Sequence, residues 1–113
     1  GDMPMRNVLN EKHFNKGGAF HKMYQWLQKN ANKFGFYEAY TNESSRKGFE
    51  YEPWHYSYQP QSKENLKIYI ENNLYNHCLN LSVTGLEEID EQLKTRYLEE
   101  QILDINPSLK VKK

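Results

Sequence analysis

The spacing of apolar residues changes from helical to alternating at Gly35, and this change constrains the fold more than any other feature of the chain. Before it, apolar residues recur at intervals of three to four across residues 18–34, which predicts an amphipathic helix. Gly35 is placed to end that helix, because glycine readily adopts the left-handed conformation common just after a helix. Residues 36–41 then alternate and are rich in β-formers, which predicts a strand.

The next apolar segment, residues 49–58, is predicted to pair with that strand in an antiparallel hairpin across a polar connection at residues 42–48. Pro53 lies inside the segment, so the second strand should be an edge strand or carry a bulge there. Strand alternation would place one set of side chains on one face and the other set on the opposite face: Glu52, Trp54 and Tyr56 against Pro53, His55 and Ser57. Glu52 and His55 would then meet only through a twist or a bulge.

The second half of the chain is predicted to be helical. Ser62 is a candidate N-cap for a helix over residues 62–78, and Thr84 with Glu87 has the spacing of a capping box that opens another. A break before Tyr97 would divide this last helix, and residues 110–113 would form a frayed basic tail. The predicted fold class is α+β, as one domain over residues 1–113: a helix, an antiparallel hairpin, then two or three helices.

Composition excludes several classes of function. The 15 Lys and Arg residues balance the 15 Asp and Glu residues, so no overall field favours nucleic acid or anionic lipid. No apolar run is long enough to span a membrane, and the N-terminus has no signal-peptide pattern. The single cysteine, Cys78, excludes an intrachain disulfide and is predicted to be a small buried residue on a helix.

The residue pattern that indicates chemistry is a carboxylate three positions before a histidine, Glu52 and His55, among aromatic residues. Metal-assisted hydrolysis needs an imidazole to hold a metal that acidifies water and a carboxylate to carry the proton of that water. Without further context, ordinary surface or hydrogen-bonding roles on a strand would explain the same pair.

The residues around this pair occur in the order of a known family. Six short segments carry this order: Trp26-Leu27, Asn30-Ala31, Lys33-Phe34-Gly35-Phe36, Tyr40-Thr41, Gly48-Phe49 and Glu52-Pro53-Trp54-His55. Together they resemble the C-terminal half of the zinc D-alanyl-D-alanine carboxypeptidases. These are the vancomycin-resistance type, in the superfamily that also holds lysostaphin and the hedgehog signalling domain. The resemblance covers residues 7–58 well, whereas the later part of the sequence is similar only to a subset of such proteins. It implies a partial version of that fold.

The resemblance also implies roles for individual residues. Glu52 corresponds to the general base of the family and His55 to the last of its three zinc ligands, while Trp54 and Tyr56 would pack at the substrate site. The other two ligands, a histidine and an aspartate, belong to an upstream segment of the type Ser-x-His-x-x-Gly-x-Ala-x-Asp that this sequence does not contain. Counting back from Phe14 places Met5, or Pro4 with one gap, where the aspartate is expected.

The function implied by this resemblance is zinc-dependent removal of D-alanine from peptidoglycan stem peptides, at the cell envelope or in the periplasm. Because two of three zinc ligands are missing, the expected form is truncated or inactive. It would be a fragment of a longer enzyme, a shortened relative without metal, or a protein whose site is completed by another subunit. The alternative is a non-catalytic module that retains the groove and binds peptidoglycan or a protein partner. The exposed edge of a lone hairpin also predicts a homodimer.

Overall fold

A computed structural model describes residues 7–112 of the chain, with a short antiparallel hairpin between an N-terminal helix and a series of C-terminal helices. The predicted α+β class is confirmed. The regular elements are helix α1 (His21–Asn30), strand β1 (Phe36–Glu38), strand β2 (Tyr56–Tyr58), and helices α2 (Gln59–Glu71), α3 (Leu74–Leu79) and α4 (Glu91–Arg96). Within the described residues, five further helical segments of 3₁₀ or π type connect them or flank them.

The first helical path ends before Gly35 as predicted, but the α-helix itself covers only His21–Asn30 of the predicted residues 18–34. Gly18 belongs to a turn closed by its own N–H, which donates to the Asn15 carbonyl at 2.8 Å, and α1 begins after it at His21. After α1 the segment Ala31–Phe34 continues as a 3₁₀ turn. Gly35 then ends the helical path with φ 86°, and its N–H donates to the carbonyl of Ala31. The predicted role of Gly35 is confirmed.

The hairpin is antiparallel as predicted, but its strands are much shorter than residues 36–41 and 49–58. In the part of the chain that the structure describes, only β1 and β2 form a ladder, with Phe36 opposite Tyr58 and Glu38 opposite Tyr56. Residues 52–55 form a turn in place of extended strand, since the His55 N–H donates to the Glu52 carbonyl at 3.0 Å. The prediction that strand alternation governs this segment is therefore wrong. Proline at position 53 has no N–H for a ladder and suits a turn better than a strand.

The helix predicted over residues 62–78 is two helices. Helix α2 begins directly after β2, with Pro60 in its first turn, so Ser62 is not its N-cap. Asn73 takes the left-handed conformation, with φ 52°, and separates α2 from α3. Asparagine tolerates that conformation better than most residues do. Cys78 lies on α3 but is exposed, so its predicted burial is wrong.

The predicted capping box at Thr84 is also wrong. Leu86–Glu88 forms only a 3₁₀ turn without a side-chain cap, and the cap of α4 is Asp90, whose Oδ1 accepts from Leu93 N–H at 2.7 Å. Helix α4 runs without interruption into a π-helical segment, Tyr97–Ile102. Leu109, near the end of the described residues, is 2% exposed and belongs to the buried core.

The end of the chain is not a frayed tail as far as the structure describes it. Lys110 Nζ lies 3.1 Å from Asp104 Oδ1, and Lys113 is outside the described residues. None of the helices in residues 7–112 is long and apolar enough to cross a membrane.

The buried core is small and lies where the elements meet. Its hydrophobic members are Phe14, Ala31, Ala39, Tyr75 and Leu109, and the side chain of Pro53 is fully buried. The radius of gyration is 17.1 Å, whereas a compact domain of 100 residues has about 13 Å. The chain is therefore elongated, and it leaves large apolar side chains exposed, including the stacked rings of Trp26 and Phe34.

Candidate functional site

The turn at residues 52–55 brings the two predicted site residues together. Backbone hydrogen bonds hold both of its ends to the end of β1: Ala39 N–H donates to the His55 carbonyl at 2.9 Å, and Glu52 N–H donates to the Tyr40 carbonyl at 3.1 Å. Pro53 fills the space beneath and is fully buried. The turn is therefore anchored by the hairpin on one side and by the core on the other, so no bulge is needed for Glu52 and His55 to meet.

The carboxylate of Glu52 and the imidazole of His55 are in direct contact, with Oε2 2.8 Å from Nδ1. Their side chains are 32% and 45% exposed, so the pair lies at the surface where a ligand can reach it. When Nδ1 carries the ring proton, it donates to the carboxylate and the lone pair of Nε2 is available to a metal or a proton donor. A carboxylate bound to the second nitrogen is a common partner of metal-binding histidines.

An aromatic and a cationic side chain support His55 from the loop after β1. The ring of Tyr40 stands perpendicular to the imidazole, with centroids 5.1 Å apart, and Phe49 packs on Tyr40 at 5.4 Å. The guanidinium of Arg46 lies 5.6 Å from the centroid of the Tyr40 ring. Burial, and then the negative charge of Glu52, raise the pKa of Tyr40, while Arg46 opposes the shift. Tyr40 is therefore a neutral packing surface for His55 at ordinary pH.

Trp54, predicted to pack at the site, points toward the core side of the turn. Its ring lies 5.8 Å from that of Phe14, which also contacts Phe20 and Tyr24. Phe14 is buried, and Trp54 is partly buried. This aromatic cluster fixes the turn to the N-terminal segment and to α1, so Trp54 holds the backbone between Glu52 and His55 in place.

Tyr56, the other predicted packing residue, faces α1. Its hydroxyl accepts a hydrogen bond from Gln28 Nε2 at 3.0 Å, and the same amide donates to Glu38 Oε1 at 2.8 Å. Burial raises the pKa of Tyr56 to about 12. Burial likewise raises the pKa of Glu38, although hydrogen bonds from Tyr24 and Gln28 oppose the shift.

A second pair of phenols extends this network toward the turn. The hydroxyls of Tyr24 and Tyr51 are 2.6 Å apart, and burial raises the pKa of both. Tyr51 immediately precedes Glu52, so the network connects α1 to the start of the turn. The roles of these residues were not predicted from the sequence, and neither were those of Tyr40 and Arg46. One sequence signal for the hydrogen-bond network was available: Tyr24 and Gln28 are four positions apart and therefore lie on one face of α1.

Comparison with protein families connects this geometry to a known group. The family model VanY, D-alanyl-D-alanine carboxypeptidase, matches residues 2–61 of the 113-residue chain. The chain belongs to the VanY D-alanyl-D-alanine carboxypeptidase family. The match includes α1, the hairpin, Glu52 and His55, and ends within the first turn of α2. Searches of curated proteins and of solved structures found no match.

A catalytic zinc in this VanY-family chain would need more donors than Glu52 and His55. Such a zinc normally has three protein ligands and a water. Between residues 7 and 112, no three His, Cys, Asp or Glu side chains gather closely enough to hold a metal ion. Glu52 and His55 are donors of suitable type, but the described residues alone do not form a complete zinc site. Met5 and Pro4, where the resemblance places the aspartate, lie outside the described residues.

The other histidines do not join this pair. His21 Nδ1 lies 2.9 Å from the Phe14 carbonyl, and His13 packs on Phe20 with ring centroids 6.0 Å apart. His77 lies in the last turn of α3, where a cation is favoured by the helix dipole. None of these three belongs to a group that could bind a metal within the described part of the chain.

Proposed function

We propose that this chain carries the general base and one zinc ligand of a D-alanyl-D-alanine carboxypeptidase that removes the terminal D-alanine of peptidoglycan stem peptides. The observation that supports it is the 2.8 Å contact of Glu52 with His55 on a turn anchored by the buried Pro53, inside the residues that match the family. A base and an imidazole at this separation suit hydrolysis of an amide bond, which needs proton transfer at the attacking water and at the leaving amine.

Glu52 is the proton carrier in this proposal. Its carboxylate takes a proton from the attacking water and delivers it to the leaving amine of D-alanine. Zinc, when bound, would supply an acidified water. His55 would be one ligand, and the remaining histidine and aspartate would come from outside residues 7–112. The described residues supply only part of the zinc ligand set, so the proposed reaction steps concern Glu52 and not the metal.

The contact with Nδ1 gives Glu52 a second proposed role. By accepting the Nδ1 proton, the carboxylate holds the imidazole in the tautomer that leaves Nε2 free for the metal. Tyr40 packs edge-on against the same ring and restricts its rotation. The proposed zinc-binding atom of this chain is therefore Nε2 of His55. Because Nδ1 and Nε2 point to opposite sides of the ring, Glu52 must leave Nδ1 before its carboxylate can act as the base on a water at that metal.

The location and partner follow from this function and are part of the proposal. A carboxypeptidase of stem peptides acts where peptidoglycan is exposed, at the cell envelope. Its ligand is a peptide that ends in D-alanyl-D-alanine, with a free carboxylate at the end. Pairing of two copies through the hairpin edge stays a prediction, which sedimentation over a range of concentrations would check.

Release of D-alanine from a synthetic stem peptide tests the catalytic proposal. In a form of the enzyme that has zinc and supplies the remaining histidine and aspartate ligands, Glu52→Gln should lower turnover by about 10²- to 10⁴-fold, the usual effect of removing a general acid/base group. Glu50→Gln is the matched control, because Glu50 is exposed and two positions earlier. Equal turnover in the Glu52→Gln variant and the unsubstituted chain would refute the role of Glu52. Absence of D-alanine release from the unsubstituted chain would refute catalysis by this chain alone.

A non-catalytic module is the second candidate function, and the incomplete ligand set of residues 7–112 favours it. In that case the stem peptide would bind without being cleaved. Chemical-shift perturbation of Tyr40 and His55 on addition of the peptide, without release of D-alanine, would support this function. Lack of both shift changes and D-alanine release would contradict both candidates.

A further inference from the structure

The loop at residues 41–50, which carries the Arg46 and Phe49 side chains that pack on Tyr40, is held by a segment far along the chain. Lys47 N–H donates to Asp104 Oδ2 at 2.7 Å, across 57 positions of sequence. Arg46 Nη1 donates to the Asp104 carbonyl at 3.2 Å, and Gln101 Nε2 donates to the Lys47 carbonyl at 3.0 Å. The two backbones are thus joined by several independent hydrogen bonds, and residues 62–113 lie beyond the family match.

Gly48 permits this close approach. A Cβ at that position would lie 2.4 Å from the Asp104 carbonyl oxygen and 3.3 Å from that of Glu100. Both atoms belong to the backbone, so neither can move aside as the end of a flexible side chain would. Glycine is the residue that allows two backbones to pack at such a distance.

Asp104 is itself held by charge. Its Oδ1 lies 3.1 Å from Lys110 Nζ, and its side chain is 25% exposed. Burial alone would raise the pKa of Asp104, but the hydrogen bond from Lys47 N–H and the contact with Lys110 lower it below the ordinary value. The carboxylate is therefore ionised at neutral pH and strengthens its hydrogen bond to the loop.

Arg46 transmits this attachment toward the site. Besides the Asp104 carbonyl, its guanidinium donates to the carbonyls of Thr41 and Phe49, which closes the loop around it. The same guanidinium lies 5.6 Å from the ring of Tyr40, and Tyr40 stands 5.1 Å from His55. A continuous series of contacts therefore runs from Asp104 to the imidazole.

We propose that Asp104 and Arg46 are positioning residues, and that the segment after the family-matching part sets the orientation of the His55 ring through Tyr40. The consequence for catalysis rests on the proposed function. The effect on the orientation of His55 does not, since it concerns only the folded chain. The C-terminal segment would then be part of the site and not an appendage to it.

The test is the NMR resonances of the His55 ring protons in the full chain, measured at one pH. Tyr40 lies close enough for its ring current to shift them, so Tyr40→Leu gives the reference displacement. Gly48→Ala and Asp104→Ala should move the His55 resonances in the same direction as Tyr40→Leu. Asp104→Asn keeps an oxygen that can accept from Lys47 N–H. Its His55 resonances should therefore lie closer to those of the unsubstituted chain than the resonances of Asp104→Ala do. Ser45→Ala, exposed in the same loop, is the matched control.

Gly48→Ala and Asp104→Ala are informative only if circular dichroism shows that they fold. If they do not, Arg46→Lys decides, because lysine keeps the charge but loses the planar fork that reaches three carbonyls. Folded variants with His55 resonances at their original positions would overturn the proposal. Displaced resonances without D-alanine release from any form would support it and refute only the proposed catalysis.

Discussion

Nδ1 of His55 lies 2.8 Å from Oε2 of Glu52, and the residues between them form a turn closed by a 3.0 Å hydrogen bond from His55 N–H to the Glu52 carbonyl. The contact is thus produced by four consecutive residues and by the burial of Pro53 beneath them. Four consecutive residues therefore set the separation of the base from the imidazole, and the edge-on contact with Tyr40 bears on the orientation of the ring.

The two proposed roles of Glu52 predict different results for two substitutions. Glutamine keeps an oxygen that accepts from Nδ1 but cannot take a proton from water. Glu52→Gln should therefore leave zinc affinity almost unchanged, whereas Glu52→Leu should lower it by about 10- to 100-fold, as loss of a partner to a metal-binding histidine usually does. Calorimetric titration of the chain with zinc measures both. Equal affinity in the glutamine and leucine variants would contradict the orienting role.

A control variant can distinguish specific zinc binding by His55 from zinc binding by any exposed histidine. His55→Ala should weaken zinc binding by more than the 10- to 100-fold typical of an outer-shell residue, since it removes a proposed ligand. His77→Ala is the matched control, because His77 is an exposed histidine in the last turn of α3. Calorimetry with zinc and the visible spectrum with cobalt measure the effect. Similar losses in the two variants would indicate non-specific binding by surface imidazoles.

Local patterns predicted the helix end at Gly35 and the antiparallel hairpin, and they singled out Glu52 and His55 as a candidate pair, because each depends on residues close in sequence. The strand over residues 49–58 was wrong since alternation of apolar residues does not reveal that Glu52 and His55 close a turn. The helix cap predicted at Thr84 is instead Asp90, because the position at which the helix begins depends on the path of the folded chain. Tyr40 and Arg46 were missed, because their roles depend on contacts with residues such as Asp104 that are distant in sequence.

Burial of Pro53 predicts a cost when its ring is removed. Pro53→Ala loses packing of a fully buried side chain and also gives the unfolded chain more freedom, so stability should fall by about 1–2 kcal/mol. Pro60→Ala should cost less, because Pro60 is exposed in the first turn of α2. Urea denaturation followed by circular dichroism compares the two. A cost for Pro60→Ala as large as that for Pro53→Ala would show that the turn does not depend on the buried ring.

Two glycines with the same backbone angle allow strain and packing to be separated. Gly35 and Gly85 both have φ 86°, but a Cβ on Gly35 would lie 3.0 Å from Tyr58 Cε2, whereas one on Gly85 meets nothing within 4 Å. Gly85→Ala should cost about 1–2 kcal/mol from the left-handed conformation alone. Gly35→Ala should cost more, because Tyr58 must also shift. Urea denaturation measures both, and equal costs would mean that the Tyr58 ring yields freely.

Glu38 should make the stability of the chain depend on pH, because burial raises the pKa of its carboxyl from the ordinary value of 4.5. A carboxyl with a raised pKa in the folded state holds its proton longer there than in the unfolded chain. Its contribution to stability is therefore fully present below about 4.5 and is lost as the pH rises through the folded-state pKa. At neutral pH the charged carboxylate remains partly desolvated, which disfavours folding.

Glu38→Gln should consequently make the chain more stable than the unsubstituted form at pH 7, and the difference should shrink as the pH falls toward 4.5. The substitution retains the oxygen that accepts from Gln28 Nε2 at 2.8 Å, so the hydrogen bond to α1 is not removed with the charge. Glu64→Gln, at an exposed position of α2, controls for the change in net charge. Thermal unfolding between pH 4 and pH 8 measures the difference. A Glu38→Gln variant that is less stable than the unsubstituted chain at pH 7 would show that the charged carboxylate contributes more through its hydrogen bonds than its burial costs.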